Sequence, residues 1–152
     1  MAKLSPFACA FLEAEKAYAA DEVPVGAVIV DSVTGEIIAA THNKMECRKD
    51  PTAHAELLAI QQACDKLQSI RLEKCDIYVT LEPCPLCAQA ISFARLRRLY
   101  FGAYDPKGGG VDHGAKIFNA SSCHWSPEIF GGVEEEKCAQ LLKKFFINKR
   151  EL

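Results

Sequence analysis

One histidine, one glutamate and two cysteines in this sequence have the types and spacing of a zinc-dependent hydrolytic site. They occur as His54-Ala-Glu56 and, further along, as Pro83-Cys84-Pro-Leu-Cys87. Zinc binds imidazole and thiolate ligands, and a catalytic zinc site keeps one position open for water. Bound zinc lowers the pKa of that water to about 7, so hydroxide is available at neutral pH. We therefore predict that His54, Cys84 and Cys87 bind one Zn²⁺ and that Glu56, which does not bind the metal, transfers protons.

The two cysteines are predicted to lie at the start of a helix. Cys84 and Cys87 are three residues apart, a spacing that places two side chains on one helical face. Pro85 suits the first helical position, which makes Cys84 the predicted cap of a helix that continues through Ala88 to Leu96. Because helix N-termini favour a thiolate over a thiol, this position suits a zinc ligand.

The histidine and the glutamate need a different placement. Residues two apart diverge by about 200° on a regular helix, so His54 and Glu56 cannot converge from its middle. They can converge if His54 lies at or just before the helical entry, and Asp50-Pro-Thr52 is a start signal immediately upstream. The sequence therefore predicts two helix N-termini that face one metal ion.

Each half of the motif alone permits other interpretations. A single C-x-x-C can be a redox pair, or half of a structural zinc site that takes Cys47 or Cys75 as its third thiol. The order of the residues, with a proline before the first cysteine, is instead the signature of zinc nucleobase deaminases. The combined pattern favours a catalytic site.

The composition predicts an ordinary globular protein. The chain has 152 residues, of which 49% are hydrophobic and 25% are charged, and we expect one domain over 1–152. Its apolar N-terminal run contains Glu13, Glu15 and Lys16, which favours an amphipathic helix from Pro6 to Ala20 over a signal peptide. No stretch is long enough to span a membrane. We expect a cytoplasmic protein without a disulfide framework.

The order of predicted elements indicates an α/β fold. Apolar runs over 25–30 and 36–40 surround a turn at Gly35 and predict a hairpin. The remaining predicted elements are a helix over 53–67, a strand over 76–81, the cysteine helix, strands over 98–101 and 128–130, and a closing helix over 134–149. We expect a sheet covered by helices on both faces, with the site where strands pass into helices.

The sequence resembles the bacterial tRNA-specific adenosine deaminases of the cytidine deaminase superfamily. The resemblance extends along nearly the whole chain through Glu22-Val-Pro-Val-Gly-Ala-Val28, Asp50-Pro-Thr-Ala-His-Ala-Glu56, Tyr78-Val-Thr-Leu-Glu-Pro-Cys84, Phe101-Gly-Ala-Tyr-Asp-Pro-Lys107 and Phe145-Phe146. It implies a three-layer α/β/α cytidine-deaminase-like fold with a central mixed sheet of about five strands. It also implies a homodimer that converts adenosine to inosine at the wobble position of an arginine tRNA anticodon loop.

The same resemblance assigns roles to individual residues. Glu56 would protonate ring N1 and then the departing ammonia. Five residues match family positions that contact the nucleoside or the RNA, namely Asn43, Asp105, Lys107, Phe146 and Arg150. Asn43 could instead be a turn residue after a strand, and Phe146 could be a core residue of the closing helix.

Two features of the chain differ from a simple RNA-binding deaminase. The family usually has Gly-Ala-x-Gly-Ser after the lysine, whereas this chain has Gly108-Gly-Gly-Val-Asp-His113-Gly. Its formal net charge is −2, although readers of single-stranded RNA loops rely on shape and stacking as well as charge. A free guanine or cytosine deaminase and a non-catalytic tRNA-binding partner subunit are the alternatives. The missing Gly-Pro-Phe-Gly pattern disfavours the first, and the intact Glu56 disfavours the second.

Overall fold

The computed structural model describes residues 3–150, and over that range the chain forms one five-stranded mixed sheet. The strands are β1 (Gly26–Asp31), β2 (Ile37–His42), β3 (Cys75–Leu81), β4 (Arg98–Ala103) and β5 (Glu128–Phe130). Their spatial order is β2-β1-β3-β4-β5. Strand β1 is antiparallel to both β2 and β3, whereas β3, β4 and β5 run parallel. The predicted mixed sheet of about five strands is therefore confirmed.

Helices connect and cover these strands. They are α1 (Pro6–Ala19), α2 (Met45–Arg48), α3 (Ala55–Leu67), α4 (Pro85–Ala94) and α5 (Glu135–Arg150), with a 3₁₀ turn over Ile117–Asn119. Helix α4 ends before the predicted Leu96 because Arg95 adopts the left-handed conformation, with φ of 57°. The four-residue α2 was not predicted, since so short a helix shows no periodicity.

The sheet is buried on both faces. On one face, Ala27 and Ile29 of β1 belong to the main apolar core, which also contains Ala59 of α3 and Ile91 of α4. On the other face, Val28 and Val30 pack with Ala10 of α1, while Cys138 of α5 packs with Phe7 and Ala103. The strands alternate between these faces because successive side chains point to opposite sides of a sheet. This arrangement confirms the α/β/α layers.

Helix α1 lies unusually close to β1. Ser5 caps the helix by accepting a hydrogen bond from the Ala8 backbone N–H at 3.1 Å, and Pro6 occupies the first turn. A Cβ atom at Gly26 would lie 2.0 Å from the Ala10 carbonyl oxygen. Glycine is therefore required at the start of β1, at the end of the strand that faces the candidate site.

The connections after three strands converge at one edge of the sheet. Helix α4 begins shortly after β3, the segment from 104 to 114 follows the parallel strand β4, and α2 and α3 follow β2. Open α/β sheets bind ligands at the carboxyl ends of their parallel strands, and this edge carries the predicted metal ligands. None of the helices within residues 3–150 has the length and hydropathy needed to cross a membrane.

Candidate active site

The histidine and the first cysteine each occupy the cap position of a helix. His54 precedes α3 with φ −78° and ψ 147°, and Cys84 precedes α4 with φ −71° and ψ 170°. Both are extended conformations, so neither residue belongs to its regular helix. The predictions that His54 lies outside the helix and that two helix N-termini meet are confirmed. Cys87 lies in the first turn of α4 and is fully buried.

Three side chains converge to form a compact group of potential metal ligands. Nδ1 of His54 is 3.6 Å from Sγ of Cys84 and 3.4 Å from Sγ of Cys87. All three ligand atoms lie within 4.8 Å of one another, and no other such cluster is found within the part of the chain that the structure describes. Cys47 and Cys75 lie outside the group, so the structural site with a third thiol is not formed.

A hydrogen bond to the backbone fixes the orientation of the His54 ring. Its Nε2 lies 3.1 Å from the carbonyl oxygen of Pro51. A carbonyl can only accept, so Nε2 donates to it, and Nδ1 is the ring nitrogen that faces the two sulfurs. This is the arrangement in which a metal-binding histidine donates its other N–H to a backbone carbonyl.

The two thiols have opposite ionisation tendencies. The hydrogen bond from Cys87 and the contact with His54 together outweigh the effect of burial and lower the pKa of the Cys84 thiol to about 4. The hydrogen bond to Cys84 and burial raise the pKa of Cys87. The hydrogen bond to Cys84 also raises the pKa of His54. The pair therefore holds one negative charge beside an imidazole, and a bound cation would favour the second thiolate.

This donor set fits zinc. One imidazole nitrogen and two thiolates are soft and borderline ligands that zinc accepts, whereas magnesium and calcium require oxygen ligands. Three protein ligands would leave a tetrahedral ion one position for a water molecule.

Glu56 is adjacent to the ligand group but not part of it. Its side chain is buried, and burial raises the pKa of its carboxyl group to about 7. A group with this pKa populates both protonation states near neutral pH, which is the requirement for accepting and donating a proton within one reaction cycle.

The predicted catalytic and nucleoside-contacting residues line a cavity of about 240 Å³. The lining consists of Val23, Val25, Asn43, Met45, His54, Glu56, Leu81, Glu82, Cys84, Asp105 and Gly108. This volume is below the roughly 300–1,000 Å³ of cavities for drug-sized ligands, so it suits a single heterocyclic base. Aliphatic side chains with a few polar groups are the usual lining of a cavity for such a ring.

Both the nitrogen and the oxygen of the Asn43 side-chain amide form hydrogen bonds with the backbone. Its Nδ2 donates to the Val23 carbonyl at 3.2 Å, and its Oδ1 accepts from the Ala55 backbone N–H at 2.8 Å. Asn43 thus satisfies the first N–H of α3 and stands in the cavity wall at the same time. An amide has two N–H donors and an oxygen with two lone pairs, so one of each remains for a ligand.

The other predicted RNA contacts lie at different distances from the cavity. Asp105 lines it, whereas Lys107 is exposed outside it. Phe146 is 45% exposed and lines a separate cavity of about 480 Å³ with Tyr104 and Lys143. The side chain of Arg150 lies outside the described residues. Phe146 is therefore a surface residue of α5, although its neighbour Phe145 is buried.

Sequence reasoning missed the apolar walls and one charged residue of the site. Val23, Met45 and Leu81 line the cavity from three separate segments, and no local pattern connects them. Glu82 was also missed, although its position immediately before the Pro83-Cys84 pair was a usable signal. Its carboxylate accepts five hydrogen bonds from the segment between 105 and 113.

The fold and the site together define a deaminase of the cytidine-deaminase-like class. The chain matches the MafB19-like deaminase family over residues 1–150. It is 49% identical over 141 residues to a tRNA-specific adenosine deaminase of Agrobacterium fabrum, covering 93% of this chain and 91% of that protein. The chain belongs to the family of tRNA-specific adenosine deaminases, which confirms the resemblance inferred from the sequence.

Solved structures agree with this assignment. A chain from work on A-to-I editing by tRNA:A34 deaminases at the wobble position is 47% identical, with a TM-score of 0.86 and coverage of 90% of this chain and 97% of that one. A guanine deaminase from Nitrosomonas europaea has a TM-score of 0.81 at 20% identity, covering 95% of this chain and 85% of that one. This second likeness shows the fold alone.

Proposed function

We propose that this chain catalyses the zinc-dependent hydrolytic deamination of adenosine to inosine at the wobble position of a tRNA anticodon, with an arginine tRNA as its substrate. The observation that carries the proposal is the convergence of His54, Cys84 and Cys87 beside the buried Glu56, in a cavity of the size of one base. The names and identities of the relatives support the substrate.

The protein residues divide the chemistry between them. His54, Cys84 and Cys87 hold Zn²⁺, which when bound makes a hydroxide available at neutral pH. Glu56 would accept one proton from the attacking water and deliver it to ring N1 of adenine, then take the remaining proton from the hydroxyl at C6 and pass it to the departing amine. Water adds its oxygen to C6, the C6–N6 bond breaks, and ammonia leaves. No oxidant or second substrate is required.

The cavity wall supplies the groups that orient the nucleoside. Asn43 has one N–H and one lone pair left for the substrate, and Asp105 lines the cavity from the segment that follows β4. Because the cavity admits one base, the target nucleotide must leave its stack in the anticodon loop.

A second surface is suited to the flanking RNA. Phe146 is exposed beside Lys143 and Tyr104, which supports a stacking role rather than a core role for its ring. Lys107 is exposed on the segment that continues from the cavity wall. We assign Lys107, Phe146 and Arg150 to RNA binding. We also propose that the chain forms one domain over 1–152, that it assembles as a homodimer and that it acts in the cytoplasm.

A substrate panel tests the proposed function. The purified zinc-loaded protein is incubated with an arginine tRNA anticodon stem-loop carrying adenosine at the wobble position, with the same stem-loop carrying guanosine there, and with free guanine, cytosine and adenosine. We expect inosine in the first RNA only. Ammonia released from guanine or cytosine, without inosine in the RNA, would favour the free-base deaminase. Binding of the RNA without any product would favour the partner subunit.

A further inference from the structure

A buried carboxylate next to the metal ligands is not used by the proposed chemistry. Glu82 follows the last residue of β3, and 1% of its surface is exposed. Its backbone N–H donates to the Ala103 carbonyl at 2.8 Å, so the sheet fixes its position. Within residues 3–150, neither lysine nor arginine forms an ion pair with it. Burial of a carboxylate without a paired cation is energetically unfavourable unless hydrogen bonds compensate for the loss of water. The hydrogen-bond partners of Glu82 therefore explain why it can be buried here.

Every hydrogen bond to this carboxylate comes from one segment, residues 105–113. Oε1 accepts from the Asp105 backbone N–H at 3.0 Å and lies 2.8 Å from Nδ1 of His113. Oε2 accepts from the backbone N–H groups of Val111, Asp112 and His113 at 3.2, 2.9 and 3.1 Å. One side chain therefore fixes both ends of the segment.

The same segment forms one wall of the candidate cavity. Asp105 and Gly108 line the cavity, and Glu82 itself contributes to the lining. A Cβ atom at Gly109 would lie 2.5 Å from the Glu82 carboxylate, so only glycine lets the backbone approach the anchor this closely. Gly109 is thus the member of the glycine run that packs onto Glu82, whereas Gly110 lies against the backbone of Cys84 and Pro85.

The contact with His113 closes the segment. The imidazole is 35% exposed and its ring lies edge-on to Tyr104, with the centroids 6.0 Å apart. His113 contributes both a backbone donor and a ring nitrogen to the same carboxylate. Removal of the ring would leave Oε1 with a single donor.

Asp76, another buried carboxylate of β3, has a different kind of partner from Glu82. It lies near the start of the same strand and is also buried, but its carboxylate forms two hydrogen bonds with the Arg97 guanidinium at 2.9 and 2.7 Å. That pairing joins side chains at the end of the strand remote from the cavity. Glu82 instead accepts from four backbone N–H groups, which determines the path of the main chain.

We propose that Glu82 is a positioning residue that holds the 105–113 segment, closed by His113, in the conformation that places Asp105 against the bound nucleoside. The part of this inference that concerns the nucleoside rests on the proposed function, whereas the anchoring of the segment by Glu82 does not. Loss of the anchor should weaken substrate binding and leave the metal and Glu56 unaffected.

Glu82→Gln is the main test variant. The side chains have the same shape, but an amide has only one acceptor oxygen. If the amide nitrogen takes the place of Oε1, the Asp105 N–H loses its acceptor, and if it takes the place of Oε2, three backbone N–H groups lose theirs. Asp76→Asn is the matched control. It removes the charge of another buried carboxylate, which lies in β3 and pairs with Arg97 rather than with the 105–113 segment.

Three measurements on the zinc-loaded full chain decide the proposal. For Glu82→Gln we expect amide hydrogen exchange within 105–113 to rise by about tenfold, KM for the stem-loop RNA to rise by about tenfold with kcat changed by less than about threefold, and zinc content to stay the same. For Asp76→Asn we expect none of these changes. His113→Ser should show the same pattern with smaller increases.

The outcomes that overturn the proposal are distinct from failure of the proposed function. If amide hydrogen exchange within 105–113 were the same in Glu82→Gln as in the native protein, Glu82 would not anchor the segment. This conclusion would hold even if the native protein and the variant were both inactive on RNA. Loss of zinc would make Glu82 a support of the Cys84 ligand instead. Faster exchange with an unchanged KM would show that the segment does not orient the substrate. If Glu82→Gln does not fold, the same criteria apply to His113→Ser.

Discussion

At the scale of single residues, the proposed function assigns metal binding and proton transfer to different side chains. The ligand atoms of His54, Cys84 and Cys87 lie within 4.8 Å of one another, whereas Glu56 stands beside them with its pKa raised by burial. Removal of a ligand and removal of the proton carrier should therefore have different consequences. The first should affect metal content and the second only turnover.

Replacement of one ligand tests the metal site. Cys87→Ala should reduce bound zinc to well below one ion per chain, because two protein ligands do not hold the ion at micromolar concentrations. Zinc is measured by atomic emission after dialysis. Cys138→Ala is the control, since Cys138 is equally buried but lies on the other side of the sheet. Full zinc content in Cys87→Ala would locate the site elsewhere.

At the scale of elements, buried charged groups fix how helices sit on the sheet. Glu13 of α1 is 7% exposed, and its two oxygens lie 3.1 Å from Nδ1 of His42 and 2.6 Å from Nζ of Lys16. His42 ends β2 immediately before Asn43. The interaction therefore connects α1 to the strand that leads into the cavity wall.

The stability contributed by Glu13 should depend on pH. Burial alone would raise the pKa of its carboxyl group, but the hydrogen bonds from Lys16 and His42 outweigh burial and hold that pKa below the ordinary 4.5. The contribution is thus complete above pH 4.5 and is lost as the pH falls through the lower folded-state value. Glu13→Gln should lower the free energy of unfolding by about 1–3 kcal/mol at pH 7 and by less at a pH well below 4.5, where the carboxyl group of the folded protein becomes protonated.

Urea denaturation at both pH values measures this difference. Glu15→Gln serves as the control because Glu15 is an exposed residue of the same helix. An equal loss of stability at pH 7 and at a pH well below 4.5 would show that the Glu13 contribution does not come from the ionised carboxylate.

At the scale of the whole molecule, the ligand group connects segments that are far apart in sequence. His54 belongs to the entry of α3 and the cysteines to the entry of α4, on the face of the sheet that carries the main core. A metal bound only by the folded chain stabilises that chain by mass action, by about 4 kcal/mol at a thousandfold excess over Kd.

Removal of the metal should therefore lower the melting temperature. We expect chelation to lower Tm by several degrees in the native sequence and to leave Tm of Cys87→Ala unchanged. Differential scanning calorimetry at fixed protein concentration gives both values. An equal shift in the two proteins would mean that the chelator acts at some other site or that the metal does not contribute to stability.

Local pattern was sufficient to predict the convergence of His54, Cys84 and Cys87 and the position of most helices and strands. The spacing of Cys84 and Cys87, with Pro85 between them, indicates a helix start, and His54 follows a start signal. Asp105 came only from the family resemblance. Glu82 was missed because its partners lie more than 20 residues away, and such contacts depend on how β3 and β4 pair. Helix α2 was missed because four residues are too few to show a period.

The most direct test of the central claim is inosine formation by the native sequence and by Glu56→Ala in parallel, with the zinc content of both proteins measured. The native protein should convert wobble adenosine in the anticodon stem-loop to inosine. Glu56→Ala should retain about one zinc ion per chain and lose activity by a factor on the order of 100 or more. Inosine formation at the native rate by Glu56→Ala, or none by the native zinc-loaded protein, would contradict the account.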